Sequence, residues 1–413
     1  MSRRHLLVAA LALVACTNSP SAPGLLEELP RPLTQSEARI VAATSDFAFP
    51  LLHEINATQP DENVFISPLS ASMALGMTMN GAAGETYEAM RTAMGFGELE
   101  EAEINRGFRD LIGLLRGLDR STVFEIANSA WYRQDFTVRS SFLEAIGTWF
   151  DAEAAPLDFE DPAAVDVING WVDTRTHGRI EKIIDAIAPL NVMFLINAIY
   201  FDGTWRHRFD PAATQPAPFH ALDGSTTPVP LMHQRLTVAY GETPDLQLVD
   251  LPYGNGAFRM TVLLPREGED VNELVASLDR AGWEALLADL PEREIDLYLP
   301  KFTLEYEREM NDDLAALGMG QIFCDWPGPG VADFSRVSAE RVCVSLVKQK
   351  TFVDVHERGT EAAAVTVVVF DRTSAPATPV VRVDRPFFFA LRERLSGTIL
   401  FVGKIVAIGA AGS

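Results

Sequence analysis

The chain has 413 residues, 47% of them hydrophobic, and 57 acidic residues against 34 basic ones give a formal charge of −23. This length allows a sizeable core, and no second linker follows Glu37, which favours one large domain. A surface this acidic repels other polyanions, so nucleic acid and anionic lipid headgroups are not expected as partners.

The N-terminal residues have the composition of an export signal. A pair of arginines precedes the apolar run Leu6–Ala12, which is too short to remain as a transmembrane helix. The letters LVAC at residues 13–16 resemble the lipobox of bacterial lipoproteins, in which the signal is cut before a cysteine that becomes lipidated; an ordinary secretory signal is the alternative. We therefore predict a signal peptide over residues 1–15 and lipidation at Cys16. The protein is then exported, either lipid-anchored to the bacterial cell envelope or extracellular or periplasmic, and it touches a membrane only through this anchor.

A flexible tether is predicted after the signal, because residues 17–36 are rich in Ser, Pro, Thr and Ala. With Cys16 at its head, this tether leads to a folded body over residues 37–413. The two cysteines of the body, Cys324 and Cys343, allow a disulfide in an oxidising compartment. Two buried thiols are the alternative that we favour, and the spacing fits no metal site.

Apolar periodicity predicts a body of mixed helices and strands, and the last third is mostly β. Helices are predicted at Ala38–Ile55, at Met73–Asn80 after a cap at Ser67–Ser70, at Phe142–Phe150 and at Ala163–Thr176. Strands are predicted at Asn63–Ile66, Phe124–Tyr132, Val192–Phe201, Leu246–Leu251, Arg259–Leu264, Glu294–Leu299, Val342–Val355, Val380–Val383, Phe387–Arg392 and Thr398–Ile408. The nearly continuous apolar run Val192–Phe201 indicates a strand that is covered on both faces.

The sequence contains little that indicates catalysis. It has no G-x-S-x-G, H-E-x-x-H, P-loop or G-x-G-x-x-G motif, and its seven histidines are scattered. Residues 202–205, with the letters DGTW, are typical of a turn with an anchoring tryptophan. We therefore predict no enzymatic activity, no catalytic residues, no metal and no cofactor. A hydrolase with an unrecognised site is the alternative.

One stretch, HERGTEAAAVTVVVFDRTSAPATP from His356 to Pro379, suits two structures. From Thr360 its residues alternate, and one face is free of charge while Glu361 and Asp371 lie on the other. Gly359 precedes this strand pattern as a flexible hinge. From Asp371 onward the composition is that of an exposed, cleavable loop. We predict that the loop is a kinetically trapped form of a more stable strand; a plain hairpin strand is the alternative.

Several motifs of the chain resemble the serpin family. Residues 357–366, with the letters ERGTEAAAVT, resemble the hinge of inhibitory serpins. Five further motifs occur in the family's order over roughly residues 38–408: NVFISPLS at 63–70, NAIYFDGTW at 197–205, LPKF at 299–302, RPFFF at 385–389 and GTILFVG at 397–403.

The resemblance implies an α+β fold, with helices packed on three β-sheets and an exposed reactive-centre loop at about residues 357–379. It also implies a monomeric suicide inhibitor of serine endopeptidases, with cysteine endopeptidases as a further target class. A target protease cuts the loop and forms an acyl-enzyme, and the freed loop then inserts into the central sheet as a new strand. A non-inhibitory serpin that acts as a binding or carrier protein is the alternative.

The resemblance also assigns residues. The family's spacing, seventeen residues counted from Glu357, places the reactive bond at Thr373–Ser374, which suits an elastase-like or subtilisin-like protease. Arg372–Thr373 is the alternative and suits a trypsin-like one. The loop hinge comprises Glu357, Gly359, Thr360, Glu361, Ala362, Ala363, Ala364 and Thr366.

A sheet-opening gate is implied at Ser67, Ser70, Asn197 and Gln349. Gln349 stands where many serpins have a histidine, and we expect its amide to hydrogen-bond with the other three residues. Val365 replaces a smaller hinge residue on the face that would point outward, so we expect insertion to tolerate it.

Overall fold

A computed structural model shows the arrangement of residues 24–328, 330–359 and 378–409. Its helices are α1 (Gln35–Thr58), α2 (Pro68–Met79), α3 (Gly84–Ala93), α4 (Glu101–Leu115), α5 (Ser140–Phe150), α6 (Ala164–Arg175), α7 (Val271–Ser277), α8 (Arg280–Leu287) and α9 (Asn311–Leu314). None of these helices is long and apolar enough to cross a membrane.

Fourteen strands lie within the same ranges. They are β1 (Val64–Ile66), β2 (Thr122–Arg133), β3 (Ala152–Leu157), β4 (Met193–Gly203), β5 (Gln215–His220), β6 (Thr226–Glu242), β7 (Leu246–Pro252), β8 (Phe258–Pro265), β9 (Glu292–Pro300), β10 (Phe302–Glu309), β11 (Lys348–Val355), β12 (Val380–Arg382), β13 (Phe387–Glu393) and β14 (Ile399–Ile405).

The strands form three sheets. Nine strands make the largest, in the order β1-β14-β13-β8-β7-β6-β9-β12 with β5 beside β6. A three-stranded sheet has the order β3-β2-β4, and a two-stranded sheet pairs β10 with β11. Helices packed on three sheets are the α+β architecture expected from the sequence.

The two N-terminal helices show how the sequence sets their ends and their burial. Thr34 and Glu37 form a capping box at the start of α1, with Thr34 N–H donating to the Glu37 carboxylate at 2.7 Å. Ser67 caps α2 by accepting a hydrogen bond from Ser70 N–H at 3.2 Å. Ten of the twelve residues of α2 are buried, which explains its apolar composition.

Strand β4 is covered on both faces, as predicted. Ile196 packs with Ile168 and Val172 of α6 on one side, and Ile199 and Phe201 belong to the main core on the other. Two other predicted strands are shorter than expected. The strand predicted at Val342–Val355 begins only at Lys348, and the one predicted to reach Ile408 ends at Ile405.

The preference for buried thiols at Cys324 and Cys343 is wrong. The two residues form a disulfide with a Cα–Cα distance of 5.1 Å, and both are exposed. Main-chain bonds bring them together, because Val344 N–H donates to Ile322 O at 2.8 Å and Cys324 N–H donates to Val344 O at 3.0 Å. The disulfide therefore secures the chain just before β11.

The tether predicted over residues 17–36 is not free along its whole length. From Gly24 onward the chain lies on the body, where Leu26, Leu29 and Leu33 pack against the core. We call residues 24–33 the N-terminal arm. Cys16 lies outside the described residues.

Candidate functional site

A slot separates the two smaller sheets. Within the described residues, β4 forms a ladder only with β2, and β11 forms one only with β10. The edges of β4 and β11 that carry no ladder within the described residues face each other, because Tyr200 and Phe201 of β4 and Phe352 and Asp354 of β11 line one small cavity. The N–H and C=O groups along a strand edge can pair with a further strand.

The slot is closed at one end by a tight turn, His356–Gly359, which follows β11 and which we call the hinge turn. Gly359 bridges Thr204, and Trp205 N–H donates to Arg358 O at 3.0 Å. A side chain at Gly359 would place its Cβ 2.2 Å from Gly203 O, and its φ is 126°. Only glycine fits here.

The turn predicted at residues 202–205 is wrong, because Asp202 and Gly203 end β4 and Thr204 and Trp205 continue it as isolated bridges, but Trp205 is an anchor and holds the hinge turn. Its indole N–H donates to His356 O at 2.9 Å, and its ring stacks on Tyr253 with centroids 4.3 Å apart. It is 3% exposed. Burial also lowers the pKa of the neighbouring His356, so that side chain is neutral at pH 7.

Glu357 is the charged centre of the hinge turn. Its carboxylate pairs with Lys301 Nζ at 2.9 Å and accepts a hydrogen bond from Thr214 Oγ1 at 2.9 Å. Burial by itself would raise the pKa of Glu357, but the hydrogen bonds from Lys301, its own backbone and Thr214 outweigh burial and lower it. The ion pair connects the hinge turn to Lys301, which precedes β10, and the hydrogen bond connects it to Thr214, which precedes β5.

A second polar cluster crosses beneath the slot. The Gln349 amide donates to Ser67 O and accepts from Ser67 N–H, both at 2.9 Å. Ser70 Oγ donates to Asn197 Oδ1 at 2.5 Å, and Asn197 Nδ2 donates to Asn128 Oδ1 at 2.6 Å. The row thus runs from β11 through the start of α2 to β4 and β2.

The structure brings the four predicted gate residues together, with one correction to their bonding. Gln349 was expected to reach Ser67, Ser70 and Asn197, but its hydrogen bonds go to the main chain of Ser67. Ser70 and Asn197 join the row through their own bond. Their role as a gate stays a prediction.

Sequence reasoning missed three members of these clusters, namely Asn128, Lys301 and Thr214. Asn128 carried a usable signal, because it is a polar residue between Ile126 and Ala130 on the buried face of β2 and is 3% exposed. Lys301 lay inside a recognised motif, but nothing in the sequence pairs it with Glu357. These contacts join residues that are 56 and 143 positions apart.

A strap over the slot joins its two sides. Residues 176–187 follow α6, and Ile180 and Ile184 pack in the cluster beneath that helix. On the other side, the Arg179 guanidinium lies 5.1 Å from the Phe352 ring centroid, and Asp185 lies 3.5 Å from Lys348 Nζ. The strap therefore spans the opening between β4 and β11.

Other predicted residues lie outside the described residues. They are Thr360, Glu361, Ala362, Ala363, Ala364 and Thr366 of the hinge and Arg372, Thr373 and Ser374 at the reactive bond. Across the described ranges, no group of three or more His, Cys, Asp or Glu side chains is placed to hold a metal.

Comparisons with known proteins agree with this architecture. The family model described as "Serpin (serine protease inhibitor)" matches residues 42–408. Iripin-2 from Ixodes ricinus is 36% identical over 90% of this chain and 94% of its own. The crystal structure of human thyroxine-binding globulin complexed with thyroxine has a TM-score of 0.82 at 27% identity, covering 90% of this chain and 99% of that one. The native state of the thermophilic serpin tengpin has a TM-score of 0.81 at 30% identity, covering 94% and 97%.

Proposed function

Because the chain belongs to the serpin family, we propose that it inhibits serine endopeptidases as a suicide substrate and is not itself an enzyme. The observation that carries the proposal is the slot. Two strand edges that form no ladder with each other within the described residues lie on its two sides, and the hinge turn at one end leads straight into residues 360–377. That segment has the strand pattern needed to fill the slot as a new central strand.

The proposed mechanism follows from this arrangement. A target serine protease attacks the carbonyl carbon of the reactive bond, forms an ester with it, and releases the segment beyond it as a new amine terminus. The freed strand enters the slot and carries the attached protease away from the hinge turn. Water must hydrolyse the ester to free the protease, and distortion of the protease active site prevents that step. Cysteine proteases would form the equivalent thioester.

The reactive bond is proposed at Thr373–Ser374, with Arg372–Thr373 as the alternative. We would incubate protein lacking residues 1–16 with an elastase-like, a subtilisin-like and a trypsin-like protease. A covalent adduct, with the combined mass of the inhibitor and the protease and stable to boiling in detergent, supports the proposal. Cleavage of the loop without an adduct or a rise in heat stability contradicts it.

The two bonds are distinguished by the released peptide and by a matched pair of variants. A peptide that begins at Ser374 identifies Thr373 as the attacked residue, and one that begins at Thr373 identifies Arg372. In the first case Arg372→Ala leaves adduct formation intact while Thr373→Arg changes the class of protease trapped. In the second case Arg372→Ala abolishes the adduct with a trypsin-like enzyme.

A second candidate function, small-molecule carriage, is favoured by a cavity between α1, α8 and the nine-stranded sheet. Val41, Trp283 and Leu287 line its apolar side, and Arg259 and Arg392 share the Asp250 carboxylate at 3.1 and 2.7 Å. Within the described chain, the buried Arg259 Nε has no hydrogen-bond partner. Two guanidinium groups on one carboxylate leave positive charge at this part of the cavity, and Glu284, Asp289 and Glu292 also line it.

This carrier hypothesis predicts a ligand with a carboxylate and an apolar body. Titration with decanoate, followed by Trp283 fluorescence, tests it, since Trp283 lines the cavity. Saturable decanoate binding that is weaker in the Arg259→Met variant than in the parent supports the carrier hypothesis. Equal affinity in the parent and the variant contradicts it. Thyroxine-binding globulin has a similar structure and by its title binds thyroxine, so the carrier and inhibitor hypotheses are tested separately.

We also propose that the protein is exported as a monomer and anchored through a lipid on Cys16. The composition of residues 1–16 supports this. Mass spectrometry of the protein from its native membrane fraction would show a diacylglyceryl-cysteine at the mature N-terminus. A mature chain that begins elsewhere and is recovered in soluble form contradicts it.

A further inference from the structure

The disulfide between Cys324 and Cys343 closes a loop that contains no regular helix or strand among its described residues. We call residues 324–343 the cystine loop. It contains two arginines, Arg336 and Arg341, and both are exposed. Trypsin-like proteases cut after arginine, and they cut most readily on exposed, irregular segments. The cystine loop therefore presents two bonds that such a protease could attack.

The two arginines differ in how accessible their bonds are. The Arg336 guanidinium forms a bidentate pair with the Glu101 carboxylate at 2.5 and 2.6 Å, and the next residue, Val337, is buried. Arg341 instead ends the exposed stretch Ala339–Arg341. A trypsin-like protease must draw the arginine side chain into its specificity pocket, so the bond from Arg341 to Val342 is the more accessible one.

The chain before this bond is held on the body. Val337 is buried, and its carbonyl accepts a hydrogen bond from Arg139 N–H at 2.8 Å. Ser338 is also buried, and its hydroxyl donates to Thr137 O at 2.8 Å. A new carboxylate at Arg341 would therefore follow shortly after a fastened segment and would have little free chain with which to move.

The chain after the bond is held by the disulfide and by two hydrogen bonds. Cys343 follows Val342 directly, so the disulfide lies beside the amine that a cut would create. Val344 N–H donates to Ile322 O at 2.8 Å, and Cys324 N–H donates to Val344 O at 3.0 Å. The disulfide and the hydrogen bonds join the same two segments. While the disulfide is intact, an end that begins at Val342 stays beside residues 322–324.

We propose that Arg341–Val342 is a second cleavage site, separate from the reactive bond, and that the disulfide keeps the cut molecule folded. Hydrolysis adds one water at the Arg341 carbonyl, breaks the C–N bond, and leaves a carboxylate on Arg341 and an amine on Val342. The two pieces remain one covalent molecule through Cys324 and Cys343. Cleavage at this site therefore costs little stability as long as the disulfide is oxidised.

Reduction changes the effect of the same cut. A dithiol gives two electrons and two protons to the disulfide, which becomes two thiols, while the dithiol is itself oxidised to a disulfide. Both cysteines are exposed, so a reductant can reach them. In a cut and reduced molecule the end that begins at Val342 loses its covalent link and frays towards β11. Protease and reductant together therefore destabilise the fold more than their separate effects predict.

The position of the cut is tested with a trypsin-like protease at low concentration. The background protein lacks residues 1–16 and carries Arg372→Ala, which removes a cleavable arginine from residues 360–377. Arg341→Gln removes the proposed site, and Arg336→Gln is the matched control. Before reduction, the cut background protein should weigh one water more than the uncut chain. After reduction, a fragment that begins at Val342 should appear.

We expect this fragment from the background protein and from Arg336→Gln, and none from Arg341→Gln. Resistance of the background protein to the protease, a first cut at another bond, or the same fragments from Arg341→Gln would overturn the site. The masses are measured on intact protein under reducing and non-reducing conditions.

The protection is tested by urea unfolding of four samples of the background protein, which is cut or uncut and has its disulfide oxidised or reduced. We expect the cut to lower the urea midpoint about twice as far or more in the reduced protein as in the oxidised one, because only the oxidised protein keeps its ends joined. Equal losses in the two redox states would show that the disulfide does not protect the cut molecule. Both readouts are independent of adduct formation, so a failure of the proposed function leaves this test unaffected.

Discussion

At the scale of single residues, Gln349 connects β11, on one side of the slot, to the start of helix α2 beneath it. It is 7% exposed, and its amide satisfies both main-chain groups of the fully buried Ser67. Gln349→Ala leaves those two groups without partners, so we expect the free energy of unfolding to fall by about 2–4 kcal/mol. Urea unfolding of parent and variant would measure the loss.

The matched control for this prediction is Gln349→His. An imidazole can both accept and donate, so we expect the histidine variant to retain most of the lost stability. The alanine variant should also convert faster to the loop-inserted form, because β11 is less firmly held. Equal stability of alanine and parent would show that the amide does not secure β11.

Lys404 is a second residue whose environment sets a measurable property. It is fully buried on β14, and its ammonium donates to Asn56 Oδ1, Asn272 Oδ1 and the carbonyls of Gln59 and Pro60 at 2.6–2.9 Å. Burial lowers the pKa of Lys404 from its ordinary 10.5 to about 8, although nearby carboxylates such as Asp270 oppose the shift.

This pKa predicts how stability depends on pH. Between about pH 8 and 10.5 the unfolded chain keeps the Lys404 proton while the folded one loses it, so the contribution of Lys404 to the unfolding free energy rises with pH. Below pH 8 both states are protonated and the contribution is flat. Urea midpoints from pH 7 to 10.5 in the parent and in Lys404→Met measure it. A parent-minus-variant difference that does not rise in this window contradicts the prediction.

At the scale of elements, the disulfide holds the segment that leads into β11. Cys324 and Cys343 are 19 positions apart, and both are exposed. Closing a loop of this length restricts the unfolded chain and stabilises the folded one by about 3 kcal/mol. We expect Cys324→Ser/Cys343→Ser, or reduction of the parent, to lower the urea midpoint accordingly. Reductant should not affect the double variant, and a reduced parent as stable as the oxidised one would contradict the expectation.

The elements also show what the sequence could and could not predict. Strand β4 and helix α2 were predictable because cover on both faces of β4 and burial of most of α2 leave nearly continuous apolar runs. Strand β6 was missed because Pro228 and Pro230 interrupt its pattern; both pair opposite prolines of the short strand β5, where the missing N–H groups are tolerated.

Contacts between distant parts of the chain account for most of what was missed in the site. The hinge glycine and the polar gate residues were predictable from motifs that resemble the family. The Glu357–Lys301 pair, the disulfide and the docked arm depend on how separate elements are placed, and no local pattern encodes that. Asn128 is the exception, because a polar residue between Ile126 and Ala130 on the buried face of a strand already indicates a buried hydrogen bond.

At the scale of the whole molecule, the proposed mechanism requires the uncut form to be less stable than the loop-inserted form. Within the described residues, the edges of β4 and β11 form no ladder with each other. A strand of about ten residues that fills the slot gains about one kcal/mol for each new ladder hydrogen bond, before the cost of ordering the loop. Cleavage of the loop should therefore stabilise the molecule rather than weaken it.

We expect a non-target protease that cuts within residues 360–377 to raise the melting temperature of the parent by about 10 °C or more, since several kcal/mol are gained. Thr366→Arg places a charge on the face predicted to point inward and should prevent most of this rise. Val365→Arg, on the opposite face, is the matched control. Its melting temperature should rise after cleavage as much as that of the parent. Calorimetry of the cut and uncut proteins makes the comparison. If all three melt at the same temperature before and after cutting, the slot does not accept the loop, and the carrier function becomes the better account of this fold.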